Sequence, residues 1–394
     1  MIEIKEKVAV TLFLMDLSNL CGDCLSIVIP PSFIYVKEIG SDKVYSVPQA
    51  LAKQLDIEGL NIDSLPVSDF TMVVNVEQDD KDIEQFGKFA LIREVLHGMG
   101  MITSGDLVNS NSYFLYEDDF YAPQRVPVIT LDDDDVNGVE VTFEKFYPIS
   151  IYEKNIVTQA DPNNYVFDSL NDMYKVRFPR QFYNYMNATE EEEKQSLLDS
   201  YDPFLVSHFY EPAKKVAQLY KQKGTVGFKA ADGKVIPLQT FDGEYIKSCS
   251  ITHIDIPKVK KYSFYDYDPF NKDEIKDYVT EDFVLYYTYL FSYDMETILS
   301  IVGEDNKYEF LSPNILKILT TLGWTEKDNP SATPKVKYKV AEEVEISYDN
   351  YWDTLMKSSD HHDYYGFGSF ADNLVCHPKA YAMTLIALSL ILGF

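Results

Sequence analysis

Residues 93–97 read Arg-Glu-Val-Leu-His, and Gly98-Met99-Gly100-Met101 follow. On an α-helix, side chains four apart stand on one face, one turn from each other. Two His at that spacing hold one Zn²⁺. A Glu directly after the first His polarises the metal-bound water and moves its proton. Glu94 and His97 fill the base and second-ligand positions of that pattern, H-E-x-x-H, and Gly100 follows three residues on. The first-ligand position holds Arg93. A guanidinium stays protonated and offers only donors, so it cannot coordinate a cation. At about 4 Å and an effective dielectric near 20, it would repel each positive charge of an ion by about 4 kcal/mol. The stretch therefore predicts a helix and argues against the metal. Its plain alternative is an amphipathic core helix with a charged pair on its wet side.

The six His are His97, His208, His253, His361, His362 and His377. His361-His362 reads as a solvated pair, and His208, in an aromatic stretch, as structural. His97 and His253 are the pair with a chemical reason to converge. No G-x-S-x-G elbow, phosphate-binding glycine loop or G-x-G-x-x-G is present. Cys21-Gly22-Asp23-Cys24 has C-x-x-C spacing, but no second such pair completes a zinc ribbon. The acidic run Asp132–Asp135 lacks the alternating ligands and the glycine of an EF-hand loop, and reads as a solvated loop.

Further along lie Ser250-Ile251-Thr252-His253-Ile254-Asp255, then Asp282-Phe283-Val284-Leu285, then Ser312-Pro313-Asn314 leading through Leu319 to Leu322-Gly323-Trp324. With the helix motif, in this order, they resemble the leishmanolysin-like branch of the metzincin peptidases. The resemblance is closer still to secreted fungal and bacterial proteins with an H-E-L-x-H-G-L-G-F helix. It runs from about residue 30 to 330. It implies that His97 matches the second zinc ligand, His253 the third, and Glu94 a vestigial general base. Arg93 departs at the first ligand, and Leu285 (or Val284) stands where the methionine of the Met-turn would be. Arg93 would supply the cation in place of zinc and pair with Glu94 or Asp255. The implied fold is α+β, metzincin-like in two subdomains. A mixed sheet and the former active-site helix lie in the N-terminal part, and a mainly helical or irregular region in the C-terminal part. No cofactor is expected, except zinc if the site is altered rather than lost. The functional expectation is an inactive peptidase-like protein that binds protein or peptide in the old cleft. The alternatives are a zinc endopeptidase with a changed metal site and a structural coat component.

Composition bounds the rest. The chain has 394 residues and is 46% hydrophobic, enough for a full core. Its 30 Tyr against 2 Trp suit broad half-buried surfaces, where an apolar ring carries a polar tip. A net charge of −28 argues against binding nucleic acid or anionic lipid by charge. The segment Met1–Met15 lacks the basic start and small-residue cleavage site of a signal peptide, and alternation at Ile2, Ile4, Val8 and Val10 favours a strand. The uncharged run 380–394 is short for a membrane span. It reads either as the tail of a GPI signal with attachment at Ser369, or as a docked helix; the resemblance to secreted proteins favours the anchor. Asn187-Ala188-Thr189 is a glycosylation sequon. These features predict an extracellular or cell-surface protein, its membrane contact limited to the anchor.

Patterning divides the chain into 1–104, an N-terminal subdomain ending in the motif helix; 105–235, an insertion; 236–326, a C-terminal subdomain; and 327–394, linker and tail. Short apolar runs over 23–50 predict strands. A helix is expected from Pro48 to Leu55, a strand over 70–76 and the motif helix over 82–98. Further helices are expected over 190–198 and 212–221, and Asp232-Gly233 predicts a hairpin.

Overall fold

The computed structural model describes residues 2–15, 26–29, 33–75, 80–108, 118–131, 139–184, 195, 199, 201–246, 251–262, 275–287, 295–303 and 311–341. The four cysteines, Asp132–Asp135, Asn187, Ser369, His361, His362, His377 and the run 380–394 lie outside the described residues. Most of the helix expected over 190–198 does too.

The fold is mixed α+β with several small sheets. The N-terminal region supplies β1 (Ile2–Glu3), β2 (Val10–Met15), β3 (Ser26–Ile29), β4 (Phe33–Glu38) and β5 (Val44–Pro48). After these come α1 (Gln49–Ala52), β6 (Ile57–Glu58), β7 (Phe70–Asn75) and α2 (Asp80–Gly98). β7 is the central strand of a sheet ordered β2-β7-β3, parallel to β2 and antiparallel to β3. Its run Phe-Thr-Met-Val-Val-Asn is almost wholly buried, as a strand covered on both faces requires. Phe89, Ala90, Ile92, Val95 and Leu96 give α2 its buried stripe, and Phe89 sets its ring edge-on against Phe283 at 5.3 Å. The helix end lies hard against the sheet: a Cβ on Gly98 would come within 2.7 Å of the Phe70 ring.

The middle of the chain adds β8 (Gly105–Val108), β9 (Phe120–Pro123), β10 (Arg125–Leu131), β11 (Val139–Phe146), β12 (Ile156–Thr158), β13 (Arg177–Asn184), α3 (Tyr210–Tyr220), β14 (Val226–Lys229) and β15 (Val235–Pro237). β8 pairs with β9, β10-β11-β13 form an antiparallel sheet, and β12-β14-β15 another. The β14–β15 turn carries Gly233 at φ 87°, whose N–H donates to the Ala230 carbonyl. α3 anchors to this region through Lys214 to Asp118 and Lys221 to Asp119.

The C-terminal region contributes α4 (Met295–Val302), α5 (Pro313–Leu322), β16 (Thr325–Glu326) and β17 (Tyr338–Val340). Ser312 caps α5, its Oγ accepting from Ile315 N–H, with Pro313 in the first turn. β16 pairs with β1, and β17 lies between β4 and β6 in the order β5-β4-β17-β6. β17 starts at the end of the stretch 326–338, expected as a linker with a short acidic strand beyond it, and joins the sheet of β4 and β6. One large cluster of buried side chains runs through all three regions. The helix expected from Pro48 to Leu55 is shorter, Gln49–Ala52, and the apolar part of the first fifteen residues forms β2.

Candidate functional site: a histidine pair under a buried ion pair

Three of the chemically suggestive side chains come from the last turns of α2. Glu94 is buried, while Arg93 and His97 are partly buried. His253 comes from an irregular stretch after β15 and is buried. The structure brings the two imidazoles together across a long sequence separation. His97 Nε2 stands 3.3 Å from His253 Nε2, with ring centroids 4.9 Å apart and planes at 77°.

Each ring has a second partner. His97 Nδ1 lies 2.9 Å from the Met101 carbonyl, and Thr252 Oγ1 lies 3.2 Å from His253 Nδ1. A carbonyl only accepts, so His97 carries its proton on Nδ1 and its Nε2 is bare. His253 Nε2 must then be the donor to His97, and His253 Nδ1 accepts from the Thr252 hydroxyl. The result is one directed chain, Thr252 to His253 to His97 to Met101. Burial lowers the His97 pKa to about 4; the Met101 hydrogen bond opposes this, and the Arg93 charge adds to it.

The turn out of α2 makes this possible. Gly100 has φ 117°, and a Cβ there would meet Leu51 Cδ2 at 2.9 Å. The left-handed residue reverses the chain so that the Met101 carbonyl faces back toward His97.

Arg93 points its Nη2 at Glu94 Oε1, 3.2 Å away, while its Nη1 lies 3.4 Å from the Tyr287 carbonyl. Glu94 is the carboxylate it pairs with. Asp255 instead pairs with Lys223 and has its pKa raised to about 6, chiefly by burial and against the pull of that lysine. Leu285 is fully buried at the end of a 3-10 turn, Phe283–Leu285, and its carbonyl accepts from Ile254 N–H at 3.0 Å. Asp282 takes hydrogen bonds from Ser312 Oγ and Asn314 Nδ2, and the Trp324 indole donates to the Met99 carbonyl at 2.8 Å. All four segments singled out in the sequence therefore touch one another in turn.

Zinc fits this site only in part. Two nitrogens bound at 2.0–2.1 Å to a tetrahedral ion stand about 3.3 Å apart, the spacing of His97 and His253. The third protein donor is the difficulty, because its place in the helix belongs to a guanidinium. Among the described residues, no group of three or more His, Cys, Asp or Glu side chains could hold a metal ion. Among them also, no helix is long and apolar enough to cross a membrane.

Several contributors had no signal in the sequence. Tyr152, Gln239 and the carbonyls of Met101 and Tyr287 act through single hydrogen bonds or through the main chain. Comparison with family models, with curated proteins and with solved structures finds no significant match to this chain.

Proposed function

We propose that this chain is a catalytically inactive, metzincin-like peptidase homologue, secreted or held at the cell surface, that acts by binding protein or peptide. One observation carries the reading. The helix motif, the His253 segment, the Asp282–Leu285 turn and the Ser312–Trp324 helix are joined in turn by hydrogen bonds, which supports the common site that the resemblance implies. The residues at the meeting point support inactivity. Arg93 occupies the first-ligand position and engages Glu94, so the would-be base is an ion-pair partner. The imidazole lone pairs are used within the protein. With these groups engaged in this way, a ligand would be held by the surrounding side chains and not by a metal. Surface attachment through Ser369 belongs to the same proposal; its readout is release of the chain from cells by a phosphatidylinositol-specific phospholipase.

A second reading, a zinc endopeptidase with an altered metal site, draws on the zinc-like 3.3 Å separation of the two Nε2 atoms. Hydrolysis of denatured protein by the full chain supplied with Zn²⁺ separates the two. The expected result is no turnover above that of Glu94→Gln. Chelator-sensitive cleavage lost in Glu94→Gln would overturn the inactive reading.

A further inference from the structure

We propose that Tyr152 and Glu153, consecutive residues on one turn, are positioning residues that together set the contact between His97 and His253. The inference concerns geometry and does not depend on peptidase ancestry. Among the described residues, the hydrogen bonds of neither residue go to an imidazole. Each acts through the chain segment that orients one of them.

Tyr152 works on the His253 side. It is fully buried, its ring stacks on Phe228 at 5.2 Å, and its hydroxyl donates to the Ile251 carbonyl at 2.8 Å. Ile251 has φ 52°, a left-handed conformation that a β-branched residue avoids. Such a conformation persists only where the surroundings enforce it. Gln239 supplies the rest of the enforcement. Its carbonyl accepts from Ile251 N–H, its N–H donates to the His253 carbonyl, and its Oε1 accepts from Ile256 N–H at 3.0 Å. With Ile251 held left-handed, Thr252 and His253 turn in toward α2. Were Ile251 to relax to an extended conformation, the His253 ring would be redirected.

Glu153 works on the His97 side. Its buried carboxylate gathers donors from three segments: Ser104 N–H at 3.1 Å, Ser104 Oγ at 2.8 Å, Ser150 N–H at 2.7 Å and the Tyr121 hydroxyl. Ser150 Oγ donates to the Ile102 carbonyl at 2.8 Å. These bonds fix residues 102–104, directly after Met101. The α2 backbone places the Cα of His97 but leaves its ring free to rotate. The Met101 carbonyl selects the rotamer and the tautomer, and the Glu153 hub holds that carbonyl in place.

Ring-nitrogen NMR on the full chain, labelled at histidine, tests this at neutral pH. The unaltered chain should show His97 protonated on Nδ1 and His253 on Nε2. Tyr152→Phe keeps the stack on Phe228 and deletes one hydroxyl; the fixed Nε2–H state of His253 should be lost while His97 stays on Nδ1. Glu153→Gln should do the converse, releasing the His97 tautomer. If that variant does not fold, Ser104→Ala removes one bond of the same hub and should loosen His97 in the same sense. Lys53→Met, which breaks a pair with buried Asp69 and leaves the hydrogen bonds of Tyr152 and Glu153 untouched, controls for general loss of stability and should leave both tautomers unchanged. Unchanged tautomers in both Tyr152→Phe and Ser104→Ala would overturn the proposal, as would an equal change in Lys53→Met.

Discussion

Truncating Arg93 asks whether the ion pair is a buried structural unit. Its side chain is 11% exposed and that of Glu94 7%, so neither charge has free access to water. In Arg93→Ala the Glu94 carboxylate stays inside without this cation, and the Tyr287 carbonyl loses a donor. Removing one partner of a buried pair costs about 3–5 kcal/mol, against about 0–1 kcal/mol for a pair at the surface. A loss of that size is a large share of the roughly 5–15 kcal/mol by which domains are stable. Replacing both partners by apolar residues of similar volume is often neutral, because desolvation of two charges is avoided together. Urea denaturation of Arg93→Ala, Arg93→Met, Glu94→Leu and the double variant Arg93→Met with Glu94→Leu measures each term. The double variant should be more stable than Arg93→Ala. A loss under about 1 kcal/mol in Arg93→Ala, with additive effects in the double variant, would refute the buried pair.

Tyr220 is fully buried and, among the described residues, its hydroxyl has no hydrogen-bond partner; Tyr220→Phe should therefore leave stability unchanged or raise it, by about 1–3 kcal/mol at most. Tyr121→Phe, which removes a donor to buried Glu153, should lower it by a similar amount in the same thermal or chemical melt. Because His97 titrates near 4 when folded and near 6.5 when unfolded, its neutral form contributes stability above pH 6.5 that is lost as pH falls toward 4, at most about 3 kcal/mol. Asp255, raised to about 6, acts in the opposite sense, gaining as pH falls, so the quantity to measure is the difference in pH slope between the unaltered chain and His97→Gln. Gly100→Ala places a side chain at φ 117° against Leu51 and should cost more than about 1 kcal/mol in the same melts, a cost that Gly40→Ala, with open space around it, should incur only from its backbone.

Local spacing made the central pieces legible. Glu94 and His97 share a helix, so their positions follow from periodicity, and Phe70–Asn75 and Ser312–Leu322 carry plain strand and capping signals. The order of the four segments pointed to where they meet. What could not be read acts through the main chain or over long distance. The Met101 carbonyl that fixes the His97 tautomer leaves no trace in residue type. Ile251 gives no hint of its left-handed φ, since its sequence favours extended structure. β17 is three residues long, too short for alternation to mark it, and its partners β4 and β6 lie far away in sequence. Between Glu94 and Asp255, nothing local told which acid Arg93 would choose; burial of Asp255 beside Lys223 settled it.

If Arg93 stands where a metal ligand would be, its charge should keep zinc away from His97 and His253. Zinc content by elemental analysis, with isothermal titration of the full chain and of Arg93→His, tests it most directly. The unaltered chain should carry well under one equivalent of zinc, and Arg93→His should bind close to one, since its new imidazole would lie one helical turn from His97 on the same helix face, and His97 Nε2 already stands 3.3 Å from His253 Nε2. Stoichiometric, chelator-removable zinc in the unaltered chain, or no gain of binding in a folded Arg93→His, would contradict it.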